Sequence, residues 1–384
     1  MNELIFHYPN KVIFGNGVIN RLASDCLGKG VEKIFILGIS PLKAKMDQLT
    51  NKLLGFNIQT KIDYSIQDEP VFQDIDDLLA KVRTFDPDLV VGIGGGSVLD
   101  TAKLLAVLHK GSQTWEEIIG VGLVKKRNTK MVCIPTTSGT GSEVSPNAIF
   151  LDKRDGGKKG VISPYLVPDA AYIDPELTVG IPAAITASTG VDALTHCMEA
   201  YMNKFAHPIT DMYALEGIRL IAKSLPKACA NGSDIEARNN VALGSLYGGM
   251  CLGPVNTAAV HALAYPLGSM FSIPHGLANA LMLPYVMEFN MEAAVERFAN
   301  VACAMGVIRQ STDLLTAHEG LKELREFLKS CGISEGLSSI SIPVDSVNQM
   351  ADEALKVQRL LKNNLREVSY DDAVTIYKSA FDGF

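Results

Sequence analysis

Residues 88–109, DLVVGIGGGSVLDTAKLLAVLH, set the first constraint on the fold. An apolar run leads into glycines at 92, 94, 95 and 96, and a helical pattern follows. This is one strand–turn–helix unit. Glycine reaches dihedrals closed to other residues and lets backbone N–H groups approach a ligand closely. Ser97 is expected to cap the helix, with Asp100 three residues on as its acidic partner. The start of such a helix gathers unpaired N–H groups and the positive end of the macrodipole, so it suits an anion.

The surrounding pattern extends this unit into a fold. Strands are expected at 11–15, 33–38, 58–64, 88–94 and 130–135. Between them lie amphipathic stretches such as 68–84, where Val71, Ile75, Leu78, Leu79 and Val82 recur at helical spacing. Strands alternating with helices imply a mostly parallel sheet with right-handed crossovers and a ligand at the carboxyl ends of the strands. The glycine turn departs from GxGxxG, since Ser97 stands in place of its last glycine. A second segment, CIPTTSGTGSEVSP (133–146), also leaves an apolar strand, and its Thr136, Thr137, Ser138 and Thr140 offer hydroxyls to phosphate or ribose oxygens. Two such edges together point to a bound dinucleotide.

From Ile181 onward helical patterns dominate, at 182–202, 208–224, 235–251, 291–305, 317–331 and 345–360. The expected division is therefore an α/β dinucleotide-binding domain at 1–180 and an all-α domain at 181–384, with Pro175 and Pro182 punctuating the join.

The second half holds a set of residues that an apolar core does not tolerate without compensation. In STGVDALTHCMEAY (188–201), Asp192 and His196 stand four apart, on one helix face. Further on, AAVHALAYPLGSMFSIPHG places His261 in an apolar helix and His275 after the turn SIP. A buried carboxylate without a partner is costly, and a divalent cation removes that cost. One carboxylate and three imidazoles suit Fe²⁺ or Zn²⁺, and the absence of thiolates argues against a closed structural zinc site. His7, His109, His207 and His318 are read as ordinary core or surface residues.

Composition narrows the partners. A formal net charge of −7 leaves no basic stripe for nucleic acid, and VKKRNTK reads as a solvated turn. No apolar run approaches the ~18 residues of a membrane span, and the first residues lack the pattern of a secretory leader. The seven cysteines are scattered without a CxxC pair, as expected of reduced thiols in a cytoplasm.

Taken together, KVIFGNG, GGGSVLDTAK, PTTSGTGSEVSP, GVDALTHCMEAY, HPITDMYALEGIRLI, HALAYPLGSMFSIPHG and LREVSYDDAVTIYKSAF resemble the iron-containing (group III) alcohol dehydrogenases along nearly the whole chain. The resemblance implies a dehydroquinate synthase-like architecture, an N-terminal domain that binds NAD or NADP, and a helical domain holding one metal between them. Carried over by motif, the metal ligands are Asp192, His196, His261 and His275. The cofactor lies along Gly94, Gly95, Gly96, Ser97, Asp100, Thr136, Thr137 and Thr140, with Lys158 and Leu177 at further contact positions. Asn147 falls where a substrate contact is common and is grouped with them. Many relatives carry a histidine on the proposed proton path where this chain has Tyr265. NAD-specific relatives often end the first nucleotide-domain strand with an aspartate, whereas this chain has Gly38, Ile39 and Ser40, so NADP becomes permissible. A homodimer or larger homo-oligomer is implied too, with KVIFG a candidate pairing strand.

The chemistry expected is interconversion of a small primary alcohol or diol and its aldehyde or ketone. The metal would polarise the substrate oxygen and the nicotinamide would carry hydride. Glycerol dehydrogenase and a dehydroquinate synthase-like lyase are alternatives on the same fold. A non-haem iron oxygenase and a catalytically silent binding protein are alternatives of other classes. Phe150, Leu252, Pro254 and Phe271 are expected to shape the substrate pocket.

Overall fold

The computed structural model describes residues 3–152, 154, 157–333 and 336–383. The chain forms two compact units. One comprises Phe6–Thr137 and Gly141–Thr178; the other comprises Val179 to the C-terminus, Ser138–Thr140 and the first residues through Ile5.

The first unit is a parallel α/β layer. Its strands are β1 (Lys11–Phe14), β2 (Lys33–Leu37), β3 (Gln59–Asp63), β4 (Leu89–Gly94), β5 (Gly120–Val121), β6 (Lys130–Pro135), β7 (Asn147–Asp152), β8 (Gly157–Ile162) and β9 (Ala170–Ile173). Six of them form one sheet in the order β1-β9-β6-β4-β2-β3, with every pair parallel. The continuous apolar runs of β2 and β4 follow from burial on both faces. Phe35, Leu37 and Val90 enter one core, under helices Phe72–Phe85 and Gly96–Leu108. Ile34, Ile36, Val91 and Ile93 enter the other, under helices Leu22–Cys26 and Lys43–Gly55. From β2 the chain steps outward to β3 and then returns to β4 on the other side of β2. The strand order reverses there, which puts the end of β2 beside the glycine turn after β4.

Two details differ from expectation. Strands β7, β8 and β9 carry little signal in the sequence: AAYI is four residues long, and GKKGVI mixes glycines with lysines. Pairing makes them strands, β7 with β8 in an antiparallel ladder and β9 between β1 and β6. Ser97 is not the helix cap. Gly95 takes that position in extended geometry (φ −74°, ψ −175°), no side chain caps it, and its carbonyl accepts from the N–H groups of Val98 and Leu99 at 3.1 Å. The helix thus starts at Gly96, two residues earlier than a cap at Ser97 would allow, which places Ser97 inside its first turn.

The second unit is helical: Ala183–Tyr201, Pro208–Ala230, Ile235–Leu252, Ala259–Phe271, His275–Met291, Val295–Met305, Asp313–Ser330, Val347–Leu355, Gln358–Leu361 and Tyr370–Ser379. Pro208–Ala230 continues through Pro226, which sequence reasoning takes as a stop. The stretch expected as one helix at 345–360 breaks after Leu355, then turns Leu360 and Leu361 into the core. Ala183–Tyr201 is buried nearly all round, as a core helix must be. One crossing there requires glycine: a Cβ on Gly276 would run into the Ser188 carbonyl. Among the described residues, no helix is long and apolar enough to cross a membrane.

Candidate metal centre

Three helices supply the four predicted donors. Asp192 and His196 lie one turn apart on Ala183–Tyr201, His261 lies in the first turn of Ala259–Phe271, and His275 is the first residue of the next helix. Ser272, in left-handed geometry (φ 58°), ends one helix and allows the tight reversal into the next. Gly276 then lets the His275 helix press against the backbone of Ser188, on the same helix as Asp192.

The donors converge. Asp192 Oδ1 stands 3.7 Å from His261 Nε2, 3.7 Å from His275 Nε2 and 3.9 Å from His196 Nε2. The Nε2 atoms of His196 and His261 are 3.0 Å apart. Asp192, His261 and His275 bring ligand atoms within 4.8 Å of one another, and His196, outside that set, joins it through its contacts with Asp192 and His261. Donors about 2.0–2.2 Å from a common ion in tetrahedral array stand roughly 3.4 Å apart, within the observed spread. The residues fit a divalent ion of the Fe²⁺ or Zn²⁺ type. Asp192, His196 and His261 are buried, whereas the His275 side chain is 32% exposed, so the set is open on one side.

Protonation supports the same reading. Burial pulls the His196 imidazole below its usual range, which keeps it a neutral donor. Burial pushes the Asp192 carboxyl up, but the three imidazoles and the Asn279 amide outweigh it and hold the carboxyl below its ordinary value.

Two residues missed in the sequence complete the centre. Glu199 accepts from His261 Nδ1–H through Oε2 at 2.5 Å and from the Val260 N–H through Oε1 at 2.7 Å. This fixes the proton on Nδ1 and leaves the Nε2 lone pair for the ion. Asn279 donates through Nδ2 to Asp192 Oδ1 at 2.7 Å, with His261 and His275 Nε2 at 3.2 and 3.3 Å. Spacing could have revealed both, because Glu199 lies three residues after His196 and Asn279 four after His275, each on its ligand's helix face. Tyr265 flanks the site, its ring centre 6.1 Å from that of His275.

Gly38, Gly94, Thr136 and Thr137, among the predicted cofactor residues, sit at strand ends. β4 and β6 pair through Gly94 and Pro135, and Thr136 N–H donates to the Gly94 carbonyl at 3.0 Å, so both loops start side by side. A side chain at Gly95 would meet Thr137 Oγ1 at 3.4 Å, so the two loops pass close together there. Asp100 accepts from the Ser142 hydroxyl at 2.5 Å and the Ile149 N–H at 2.8 Å, which ties the helix to the threonine loop. Lys103, fully buried, donates to the carbonyls of Asn147 at 2.7 Å and Ser145 at 3.0 Å. Asn147 Oδ1 is buried without a hydrogen-bond partner, as expected of a group that meets a ligand. Lys158 reaches Glu69 at 2.9 Å and Leu177 is packed in the core. Thr140 falls in the segment grouped with the helical unit. Gly38 lies at the end of β2, where a Cβ would collide with the Met46 side chain; Ser40 is exposed. Phe150, expected near the substrate, instead sits edge-on to Phe72 in the first unit's core.

Comparison with known proteins decides the family. Residues 9–175 match the family described as iron-containing alcohol dehydrogenase, and residues 186–381 match the C-terminal part of the Fe-containing alcohol dehydrogenase family. This chain is an iron-containing alcohol dehydrogenase. Like the family, it is a metal-dependent oxidoreductase acting on CH–OH groups with a nicotinamide cofactor, which removes the lyase and oxygenase alternatives. It is 36% identical to long-chain-alcohol dehydrogenase 1 of Geobacillus thermodenitrificans, over 98% of this chain and 96% of that protein. It is 33% identical to sulfoacetaldehyde reductase of Bilophila wadsworthia, over 98% and 99%. The crystal structure of a 1,3-propanediol oxidoreductase superposes with a TM-score of 0.95 at 31% identity, over 99% of this chain and all of that one. The iron-containing dehydrogenase fold thus bears out the expected pairing of a parallel α/β unit with a helical one.

Proposed function

We propose that this dehydrogenase interconverts a small primary alcohol or diol and its aldehyde or ketone. One Fe²⁺ or Zn²⁺ would be held by Asp192, His196, His261 and His275. NAD or NADP would lie along Gly94, Gly95, Gly96, Ser97, Asp100, Thr136, Thr137 and Thr140, with Asn147, Lys158 and Leu177 around it. The observation that carries the reading is the clustering of Asp192, His261 and His275, whose ligand atoms lie within 4.8 Å of one another, with His196 Nε2 3.0 Å from His261 Nε2.

When bound, the ion supplies Lewis acidity for the substrate oxygen and the nicotinamide supplies the hydride. The protein supplies the rest. Asp192 gives the site a fixed negative charge, and Glu199 adds a second through the His261 ring. Asn279 keeps Asp192 oriented. The exposed side of His275 favours substrate entry there. Tyr265 would serve the proton route; its hydroxyl oxygen accepts from Arg359. The uncapped helix at Gly96 favours the pyrophosphate. Because Gly38 excludes a side chain, no carboxylate at that position repels a 2′-phosphate, which favours acceptance of NADP.

Domain limits of 1–180 and 181–384, a cytoplasmic location and a homodimer or larger homo-oligomer complete the proposal. Free cysteines throughout the described residues favour a reducing compartment. Strand β1 ends the sheet order, and an edge strand is a ready template for a second copy. The relatives named above act on long-chain alcohols, sulfoacetaldehyde or 1,3-propanediol, which brackets the substrate screen.

The test replaces His261 by Ala and measures bound metal by elemental analysis beside nicotinamide oxidation with short aldehydes. Metal and turnover are expected to fall together. Turnover preserved after the metal is lost would overturn the assignment.

A further inference from the structure

Arg359 is set apart from the other half-buried arginines of the chain. Arg127 pairs with Asp169, Arg297 with Asp211 and Arg325 with Glu288. Arg359 has no carboxylate partner among the described residues; the buried Arg238 has none either, but the Thr186 hydroxyl and the carbonyls of Gly232 and Ile181 accept from it. Its side chain donates through Nη2 to the Tyr265 hydroxyl at 2.8 Å, and its guanidinium carbon lies 5.7 Å from the centre of the Tyr265 ring. That ring is the neighbour of His275. One aromatic ring therefore separates an uncompensated guanidinium from a candidate metal ligand.

Partial burial of a guanidinium without a counter-charge is costly, and a cation–π contact returns only part of that cost. Arginine has five N–H donors in a planar fork, and Tyr265 takes one of them. The remainder match an oxyanion. The departure at Tyr265 belongs to the same arrangement. A phenol oxygen accepts from Arg359, whereas a protonated imidazole there would repel it.

We propose that Arg359 is the specificity-determining residue of this enzyme and that its carbonyl substrate is a short aldehyde ending in an oxyanion. Tyr265 holds the guanidinium in place, and the anionic group anchors on Arg359 while the carbonyl faces the metal centre. The shared chemistry is a carboxylate, sulfonate or phosphonate on a short chain. The inference rests on reading the four donors as the metal centre.

The experiment uses metal-reconstituted enzyme with NADH and NADPH. It compares butanal with 4-oxobutanoate, sulfoacetaldehyde and phosphonoacetaldehyde, whose separate arms identify the oxyanion. At least one anionic aldehyde is expected to exceed butanal in kcat/KM by more than about tenfold, chiefly through KM. In Arg359→Met the anionic-to-neutral ratio of kcat/KM is expected to fall by about thirty- to a hundredfold, the usual consequence of losing one charge-assisted anchor. Arg359→Lys should recover part of it.

A measurement independent of the variants is calorimetric titration of the wild-type holoenzyme with propane-1-sulfonate, which is unreactive. Saturable binding is expected, with competitive inhibition against butanal; butanesulfonamide should do neither. Butanal preferred over every anionic aldehyde, or a ratio unmoved in Arg359→Met, would overturn the proposal while the metal centre stands. Loss of turnover for all aldehydes in a protein that binds no metal would overturn the metal reading and the proposal with it.

Discussion

Replacing Glu199 by Gln tests whether the metal centre is built from more than its four ligands. The carboxylate makes two bonds at once, to His261 Nδ1–H at 2.5 Å and to Val260 N–H at 2.7 Å. Both are donors, so both need an acceptor. Glutamine offers one acceptor oxygen. If that oxygen stays on Val260, the amide NH₂ faces His261, and the ring can accept from it only by moving its proton to Nε2, the atom required for the ion. If instead it turns to His261, the Val260 N–H is left buried and unpaired. Glu199 is 1% exposed and His261 3%, so water compensates neither choice. Losing one hydrogen bond to a charged group costs about 1.5–3 kcal/mol. Metal affinity should therefore fall by about ten- to a hundredfold. The assay is anaerobic competition of Fe²⁺ or Zn²⁺ between apoprotein and a chromogenic chelator, with Co²⁺ spectra reporting ligand geometry and a thermal melt of each apoprotein reporting the fold. An affinity within threefold of wild type, with matched melts, would refute the argument that Glu199 sets the His261 tautomer.

Three further outcomes follow from other parts of the structure. Gly276→Ala puts a Cβ into the Ser188 carbonyl and should push the His275 helix away from Asp192; stability should drop by about 1–3 kcal/mol, and Zn²⁺ competition should show weakened binding. Lys103→Met strands the carbonyls of Ser145 and Asn147 and leaves the nearby Asp100 without its cation; denaturant melts should show a loss of about 3–5 kcal/mol, and a folded fraction should have a raised KM for the nicotinamide. Burial raises the Glu143 carboxyl from 4.5 to about 7. Its folded form thus binds a proton that the unfolded chain has released, and the stabilisation present below pH 4.5 is lost as pH rises through 7. Glu143→Gln mimics the neutral acid, so it should match wild type near pH 4.5 and exceed it by up to about 3 kcal/mol above pH 7; an advantage independent of pH would contradict this.

The parts of this molecule that were legible in the sequence are those in which one physical requirement dominates a local pattern. Continuous apolar runs marked β2, β4 and β6 because strands buried on both faces can carry little else. Asp192 and His196 stood out because a carboxylate and an imidazole one turn apart are rare in a helix buried nearly all round. Strands β7, β8 and β9 were hidden because their identity comes from neighbours: GKKGVI is a strand only beside NAIFLD. The misplacement of the helix cap has a similar origin. Serine is the better cap by preference, but the extended Gly95 already gives its carbonyl to Val98 and Leu99, and that backbone choice decides the register.

The same reasoning explains why Glu199 and Asn279 escaped notice although they obey the helix spacing that revealed Asp192 and His196. A glutamate or an asparagine near a helix end has many ordinary uses, so one-dimensional spacing cannot tell a positioning group from a solvated one. Their meaning appears only when three helices meet. Once His261 and His275 come within reach of Asp192, every acceptor at the centre must be matched by a donor or a cation. Asn279 supplies one N–H₂ group to an oxygen and two ring nitrogens, which cannot saturate all of their lone pairs together with that of His196. The deficit of positive charge at that point is the physical reason the fold calls for an ion there. It also predicts that Asn279→Asp, which adds an acceptor in place of the donor, should make the apoprotein less stable and its dependence on added Zn²⁺ in a thermal melt steeper.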